Sequence, residues 1–318
     1  MPAHVRTVAP INPLLTNVSV GYTNPAFIAE DVMPVVPVGV EKFTYYRFGR
    51  DHWKRYNTRR DVGAKFMRLD YGVSTTTATC VEYGVEHPID DRIRDEAQRP
   101  LDPDVQGTEI VTEALRLDYE KQTSALMTNT ANYNASLTSV PTIQWNGTSP
   151  TILNDIMAAQ EAVRQQIGRY PNTIVIPPQV AQVVAISSEL VGYVTNVIGV
   201  TALQEGPTTG WMLPRTLFGM QVLIPAGIEV TSNLMQTDVT GDIWSDYVWV
   251  GYVNQRPQLM SPSFGYTFRR RSFQISTWRD EAIKSDIIRG TWVQTKDIIT
   301  VDDDGLAIAA YLYSDVLS

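Results

Sequence analysis

Val40-Glu41-Lys42-Phe43-Thr44-Tyr45-Tyr46-Arg47-Phe48 opens the stretch on which the reading of this 318-residue chain turns. Its aromatic and β-branched content predicts a strand. A polar run follows, Gly49-Arg50-Asp51-His52-Trp53-Lys54-Arg55-Tyr56-Asn57-Thr58-Arg59-Arg60-Asp61-Val62-Gly63. A second strand, rich in Thr, Val and Tyr, is expected from Lys65 to Tyr83. Together they predict a long two-stranded projection with a basic tip. Between 42 and 68 nine basic residues meet two acids, a net +7 in a chain that totals −8. Lone charge runs are ordinarily solvated loops. This one also holds Tyr45, Tyr46, Phe48, Trp53, Tyr56 and Phe66, and aromatics with Arg are the residues that anchor protein interfaces. Nucleic acid would accept the same mixture.

The acidic counterpart follows directly. From Glu86 to Glu120 eleven acids meet four arginines, a net −7. Pro100-Leu101-Asp102-Pro103-Asp104 reads as a helix start, with acids at the positive end of the helix dipole. The helix is expected over about 104–130, roughly 40 Å long. Ile110, Val111, Ala114, Leu115, Ala125 and Leu126 supply a narrow apolar stripe.

Before the hairpin, residues 1–39 carry Pro2, Pro10, Pro13, Pro25, Pro34 and Pro37, which predict an extended arm without helix. The arm is too apolar for a disordered tail, so it lies across a surface, its own or a neighbour's. After 143 the pattern becomes compact α/β. Ser149-Pro150 should cap a helix ending at Gly168, Thr173–Ile176 a buried strand, and a further helix should follow Pro177-Pro178. Strands are expected at Met220–Ile224, Asp246–Val253, Ser263–Arg270, Phe273–Trp278, Ile287–Val293, Asp297–Val301 and Leu306–Tyr313, with Asp302-Asp303-Asp304-Gly305 as a hairpin turn.

Composition narrows the function. Hydrophobic residues make up 43% and charged residues 19%, the profile of a folded protein. The acidic balance argues against a nucleic-acid-coating role. Cys80 stands alone, so no internal disulfide can form. The start lacks a signal-peptide pattern, and no run approaches the ~20 apolar residues of a membrane span.

Catalytic and metal signatures are missing from the sequence: no G-x-G-x-x-G, G-x-x-x-x-G-K, G-x-S-x-G or H-E-x-x-H. His4, His52 and His87 are not spaced to share a metal. Cys80, His87 and Asp90 or Asp91 offer a thiol, an imidazole and a carboxylate, but a nucleophile needs its base within hydrogen-bond reach. A buried structural thiol is the expectation for Cys80. Arg269-Arg270-Arg271 reads as a salt-bridging strand end, and Asp302–Asp304 as a solvated turn without the distal Glu of a calcium loop. No enzyme activity, cofactor or metal is expected.

In order, the chain gives an apolar arm, a long basic β-projection, a long acidic helix, a compact α/β insertion and a β-rich close. That α+β layout resembles the tailed-bacteriophage major capsid protein family. Pro88-Ile89-Asp90-Asp91-Arg92-Ile93-Arg94, leading into a helix with Leu115, Leu117 and Glu120, is similar to the entry of the family's spine helix. Trp249-Val250-Gly251-Tyr252-Val253, then Pro262-Ser263-Phe264-Gly265-Tyr266-Thr267-Phe268, is similar to its late strands. The resemblance implies an N-terminal arm (1–39), an extended β-hairpin loop (40–86) and the spine helix with the first part of a peripheral domain (87–143). An axial α/β domain (144–250) and a β-rich return to the peripheral domain (251–318) complete it.

It further implies a structural subunit forming hexamers and pentamers of an icosahedral head around double-stranded DNA. A scaffolding protein, a portal and a decoration protein would be further partners, with assembly in the host cytoplasm and no membrane. An encapsulin-type nanocompartment shell is the nearest alternative. A hydrolase of unrecognised type and a tail or adhesion protein fit less well. The basic tip should meet the acidic helix of an adjacent copy, a head-to-tail contact that closes into rings. The contact residues expected are Arg47, Arg50, Trp53, Lys54, Arg55, Tyr56, Arg59 and Arg60 on the projection, and Glu109 and Glu113 on the helix.

Overall fold

The computed structural model describes residues 11–21, 24–47, 49–50, 54–63, 65–68, 74–96, 102–193, 213–232, 236–257 and 261–317. Trp53, and the strand end at Phe48, lie outside them. Seven α-helices are described: α1 (Pro13–Gly21), α2 (Ala29–Val32), α3 (Asp91–Glu96), α4 (Pro103–Thr128), α5 (Ile152–Ile167), α6 (Pro178–Ile186) and α7 (Ser188–Tyr193). The first strands are β1 (Val35–Pro37), β2 (Lys42–Arg47), β3 (Ser74–Thr79), β4 (Val81–Asp90), β5 (Thr138–Ser139) and β6 (Thr173–Val175). They are followed by β7 (Thr216–Leu217), β8 (Met220–Leu223), β9 (Ile228–Val230), β10 (Thr240–Asp242) and β11 (Tyr247–Gly251). The last three are β12 (Gly265–Asp280), β13 (Ser285–Ile298) and β14 (Ala310–Ser314).

Two sheets organise these elements. The first has the order β1-β12-β13-β4, and α4 lies along it. The second has the order β5-β14-β11-β6-β8-β7. The four strands expected from Ser263 to Val301 become two long ones in the structure. β12 absorbs its irregularity as register shifts around Arg271, so the chain continues instead of turning. Along β13 as far as Gln294, β4 pairs from Ser285↔Asp90 to Gln294↔Val81, so position 86 falls inside a strand.

Asp102 caps α4 as expected, its side chain accepting from the Asp104 N–H at 3.0 Å. The buried face differs from the expected stripe. Ile110 is exposed, while Thr108, Thr112 and Thr123 are buried beside Val111, Leu115, Tyr119 and Met127. Each of these threonines donates its hydroxyl to the carbonyl four residues back, at 2.7–2.8 Å. With that group satisfied, only a methyl meets the core. The helix also comes very close to the sheet. A Cβ on Gly290 would stand 2.6 Å from Val111, and one on Gly107 would stand 3.0 Å from Ile288. Two glycines therefore set the helix–sheet spacing.

Three further expectations are corrected. The arm does contain a helix, α1, because Pro13 occupies its first turn, where no backbone donor is needed. Asn12 caps it, its side-chain oxygen accepting from the Leu14 and Leu15 N–H groups. Leu15 then enters the α4 core, and β1 pairs with β12, so these described parts of the arm pack on their own subunit. The strand expected from Lys65 to Tyr83 is divided. Residues 65–68 are exposed non-strand chain, and β3 ends before Cys80, after which β4 leaves for the other sheet. Finally, β14 does not join the sheet of β12 and β13. It lies between β5 and β11, with Tyr313 and Val316 in the α/β core. A smaller change concerns α5, whose cap is Thr151 in place of Ser149.

Candidate assembly surface

The hairpin has a foot and a tip of different chemistry. In the foot, β2 and β3 pair from Lys42↔Thr79 to Arg47↔Ser74. Phe43 and Tyr45 pack on Phe268 of β12, with ring centroids 4.8 and 5.1 Å apart. Ala78, Tyr266 and Ile299 complete this cluster. Burial, then the neighbouring Asp297 charge, pushes the Tyr45 hydroxyl up to about 12. Part of the aromatic load expected to anchor a neighbour therefore anchors the hairpin to its own sheet. Arg47 belongs to this foot, with its guanidinium near Gly305 and its Nε buried.

Beyond the foot, Lys54, Arg55, Arg59 and Arg60 are exposed and Tyr56 is half-buried. Arg60 stacks over Phe66 at 4.4 Å from the ring centroid, and Phe66 remains 74% exposed. Val62 and Met67 are also exposed here. These three apolar side chains were not among the expected contact residues, although each interrupts an otherwise polar run. Arg50 and Lys54 line a cleft with Arg164, Gln165, Gln166 and Gly168 at the C-terminal end of α5.

The acidic segment is less free than its net charge implied. Asp91 is held by Arg279, Glu86 by Arg289 and Asp104 by Arg94, at 2.6–2.7 Å. The Arg279 hydrogen bond lowers the Asp91 pKa. Glu113 is half-buried, and one of its oxygens accepts from Asn24 of the arm at 2.8 Å. Glu109 is exposed, flanked by exposed Ile110 on α4, while Ile93 on α3 is exposed as well.

Glu120 was visible in the sequence as an acid on the long helix, without any sign of its burial. It is fully buried and accepts from the Ile28 and Ala29 N–H groups and, at 2.7 Å, from Trp244 Nε1. Burial raises its pKa. One carboxylate thereby joins the arm, the long helix and the segment before β11.

Cys80, His87 and Asp91 do not form a relay. The Cys80 thiol is buried and donates to the Phe268 carbonyl at 3.7 Å, and burial pushes its pKa up. His87 lies against α4 near Gly107, and Asp91 belongs to Arg279. Among the described residues no group of three metal-ligating side chains converges, and no helix is long and apolar enough to cross a membrane. Arg269 and Arg270 form the expected ion pairs, with Glu30 and Glu41. The turn at Asp302 is closed by a bond from the Gly305 N–H to the Asp302 carbonyl.

No protein-family model matches the chain. It is 27% identical over 317 residues to the major capsid protein of Burkholderia phage BcepMu, covering 96% of both chains. Against the major capsid protein of Pseudomonas phage JBD67 it is 30% identical over 166 residues, half of this chain and 53% of the relative. A phage-related protein from Bordetella bronchiseptica RB50 superposes with a TM-score of 0.73 at 21% identity, over 98% of this chain and 99% of its own. The capsid protein of cyanophage P-SCSP1u gives 0.60 at 10% identity, over 99% and 92%. An encapsulin from Synechococcus elongatus PCC 7942 gives 0.51 at 11%, over 99% and 94%. The chain has the tailed-phage major capsid fold, and phage major capsid proteins are its relatives in sequence.

Proposed function

We infer that this chain is the major capsid subunit of a tailed-phage head, a structural protein whose place is the virion shell. The observation that carries the reading beyond family likeness is the hairpin tip. Val62, Phe66 and Met67 stand in solvent among arginines, and apolar surface of this kind is stabilised by a partner. The partner is the α3–α4 face of an adjacent copy, where Ile93, Ile110 and Glu109 present the complementary mixture. Repetition of that contact builds hexamers and pentamers, and these close as an icosahedral shell around double-stranded DNA. A scaffolding protein, a portal and a decoration protein complete the head, which assembles in the host cytoplasm. The subunit's work is mechanical, with no substrate turned over.

An encapsulin shell shares the fold, but both sequence relatives are phage coat proteins. Electron microscopy of the expressed protein, with and without its scaffolding partner, tests the proposal. Shells or capsomers are expected, and particles should copurify with DNA and a portal, not with an enzyme cargo. A monomer that stays monomeric at high concentration in both conditions refutes it.

A further inference from the structure

The foot of the hairpin, away from the contact proposed between copies, holds a pocket of about 350 Å³. Its walls include Val38, Phe43, Phe268 and Ile299, and among the described residues no Asp, Glu, Lys or Arg lines it. Hydroxyl groups interrupt this apolar lining. Ser261, Tyr45 and Tyr266 stand in the wall and are only 7%, 8% and 5% exposed. Ser261 Oγ accepts from Asn254 Nδ2 at 2.9 Å and from Arg169 Nη1 at 3.2 Å. Its lone pairs are thus taken, and its own hydrogen goes to none of the described residues. The Tyr45 and Tyr266 hydroxyls are closed to water and lack a partner in hydrogen-bonding geometry, although Asp297 stands beside the first and Ser263 beside the second. We propose that this pocket binds a small uncharged ligand with a flat apolar body and one acceptor oxygen, the class of the aromatic ketones.

Each part of that ligand answers a feature of the wall. The rings of Phe43, Tyr45 and Phe268, packed within 4.8–5.1 Å of one another at Phe268, suit a flat aromatic body. The oxygen answers the hydroxyls, because a buried donor without an acceptor is costly, and such groups mark the place of a water or a ligand. Burial pushes Tyr45 up to about 12, with the Asp297 charge second, and burial raises Tyr266 as well. Both therefore keep their hydrogens at neutral pH and stand as donors. An ionised head would enter without a counter-charge, which an apolar pocket penalises heavily. At ~30 Å³ for each water-sized group, the volume takes about a dozen non-hydrogen atoms. The site lies within one copy, so it does not depend on assembly. A bound molecule there touches the strand of the arm, the hairpin foot and β12 together, and stabilises the subunit by mass action.

Calorimetric titration of the full chain, as unassembled subunit, with 2-acetylnaphthalene tests the site. Saturable one-to-one binding and a raised thermal midpoint are expected. 2-Ethylnaphthalene, which lacks the oxygen, should bind at least about 10-fold more weakly. 2-Naphthoate, which carries a negative charge, should bind at least about 100-fold more weakly. Val38→Trp fills the pocket and should abolish binding of the ketone and the hydrocarbon alike. Ser261→Ala keeps the volume, so it should weaken the ketone about 10-fold and leave 2-ethylnaphthalene unchanged, with the circular-dichroism spectrum intact. Tyr266→Phe removes a hydroxyl that has no partner, so the free subunit should melt no lower than wild type. No saturable binding of 2-acetylnaphthalene up to its solubility limit overturns the proposal. So does equal affinity for the three probes, or ketone binding that Ser261→Ala leaves unchanged.

Discussion

At the hairpin tip, Arg55, Arg59 and Arg60 hold their charges in solvent; in the middle of α4, Glu120 holds its carboxyl group with no solvent at all. Exposed ion pairs contribute only ~0–1 kcal/mol each, so the tip can lose any one of them with little effect on folding. A buried carboxylate that satisfies three donors is different, because removing it strands every donor at once. Charge at the surface is therefore available for assembly, where it is repeated around each ring. The carboxyl group in the core is committed to the fold of one copy.

The strongest test of that contrast is Glu120→Ala. The Ile28 and Ala29 N–H groups and the Trp244 indole would lose their acceptor, and a loss of about 3 kcal/mol or more in urea-denaturation stability is expected. The pH dependence has a definite sign. The native pKa of Glu120 is raised, so its contribution is fully present below the unfolded value of 4.5. It declines as pH rises through the native value, and Glu120→Gln should abolish that decline in stability curves measured from pH 4 to 8.

Gly290→Ala comes next. Its Cβ would meet Val111 at 2.6 Å and Phe273 at 2.9 Å, and overpacking of this kind costs about 1–3 kcal/mol. A thermal melt unchanged by this substitution would mean that α4 is free to lift from the sheet. Asn12→Ala removes the cap of α1 and should cost about 1 kcal/mol, read as a lower denaturation midpoint with full assembly retained.

The smallest effect on stability, and the largest on assembly, is expected from reversing Arg50, Arg55, Arg59 and Arg60 to Glu together. Each surface change should stay within about 0.5 kcal/mol, leaving the circular-dichroism spectrum intact. Particles should disappear or become salt-sensitive, and Glu109→Arg should restore part of the yield. Normal shells from the four-fold variant would show that the tip is merely solvated.

The long helix and the hairpin were legible because their signals are local: a capped start at Asp102 and an aromatic strand at Phe43–Tyr46. Pairing was not. Nothing near Val81 or Gln294 in the sequence announces that they face each other, and the two runs expected either side of Arg271 read as separate strands because a register shift resembles a turn. Glu120 was hidden for the same reason. An acid on an acidic helix reads as solvated until Ile28 arrives from 92 residues away and Trp244 from 124. Val62 and Met67 were the reverse case, with a visible sequence signal overshadowed by the surrounding charge.

The position of β14 bears on how the subunit is made. It lies between β5 and β11, with Leu312 opposite both Trp249 and Thr138. While the ribosome is still adding residues short of about 314, the sheet has an open side at β11 and its core lacks Tyr313 and Val316. A nascent chain in that state carries a complete hairpin on an unfinished body. Completion of the second sheet thus orders events in time: it waits for residues 310–316, which are made after the hairpin and the sheet on which Phe43 and Tyr45 rest.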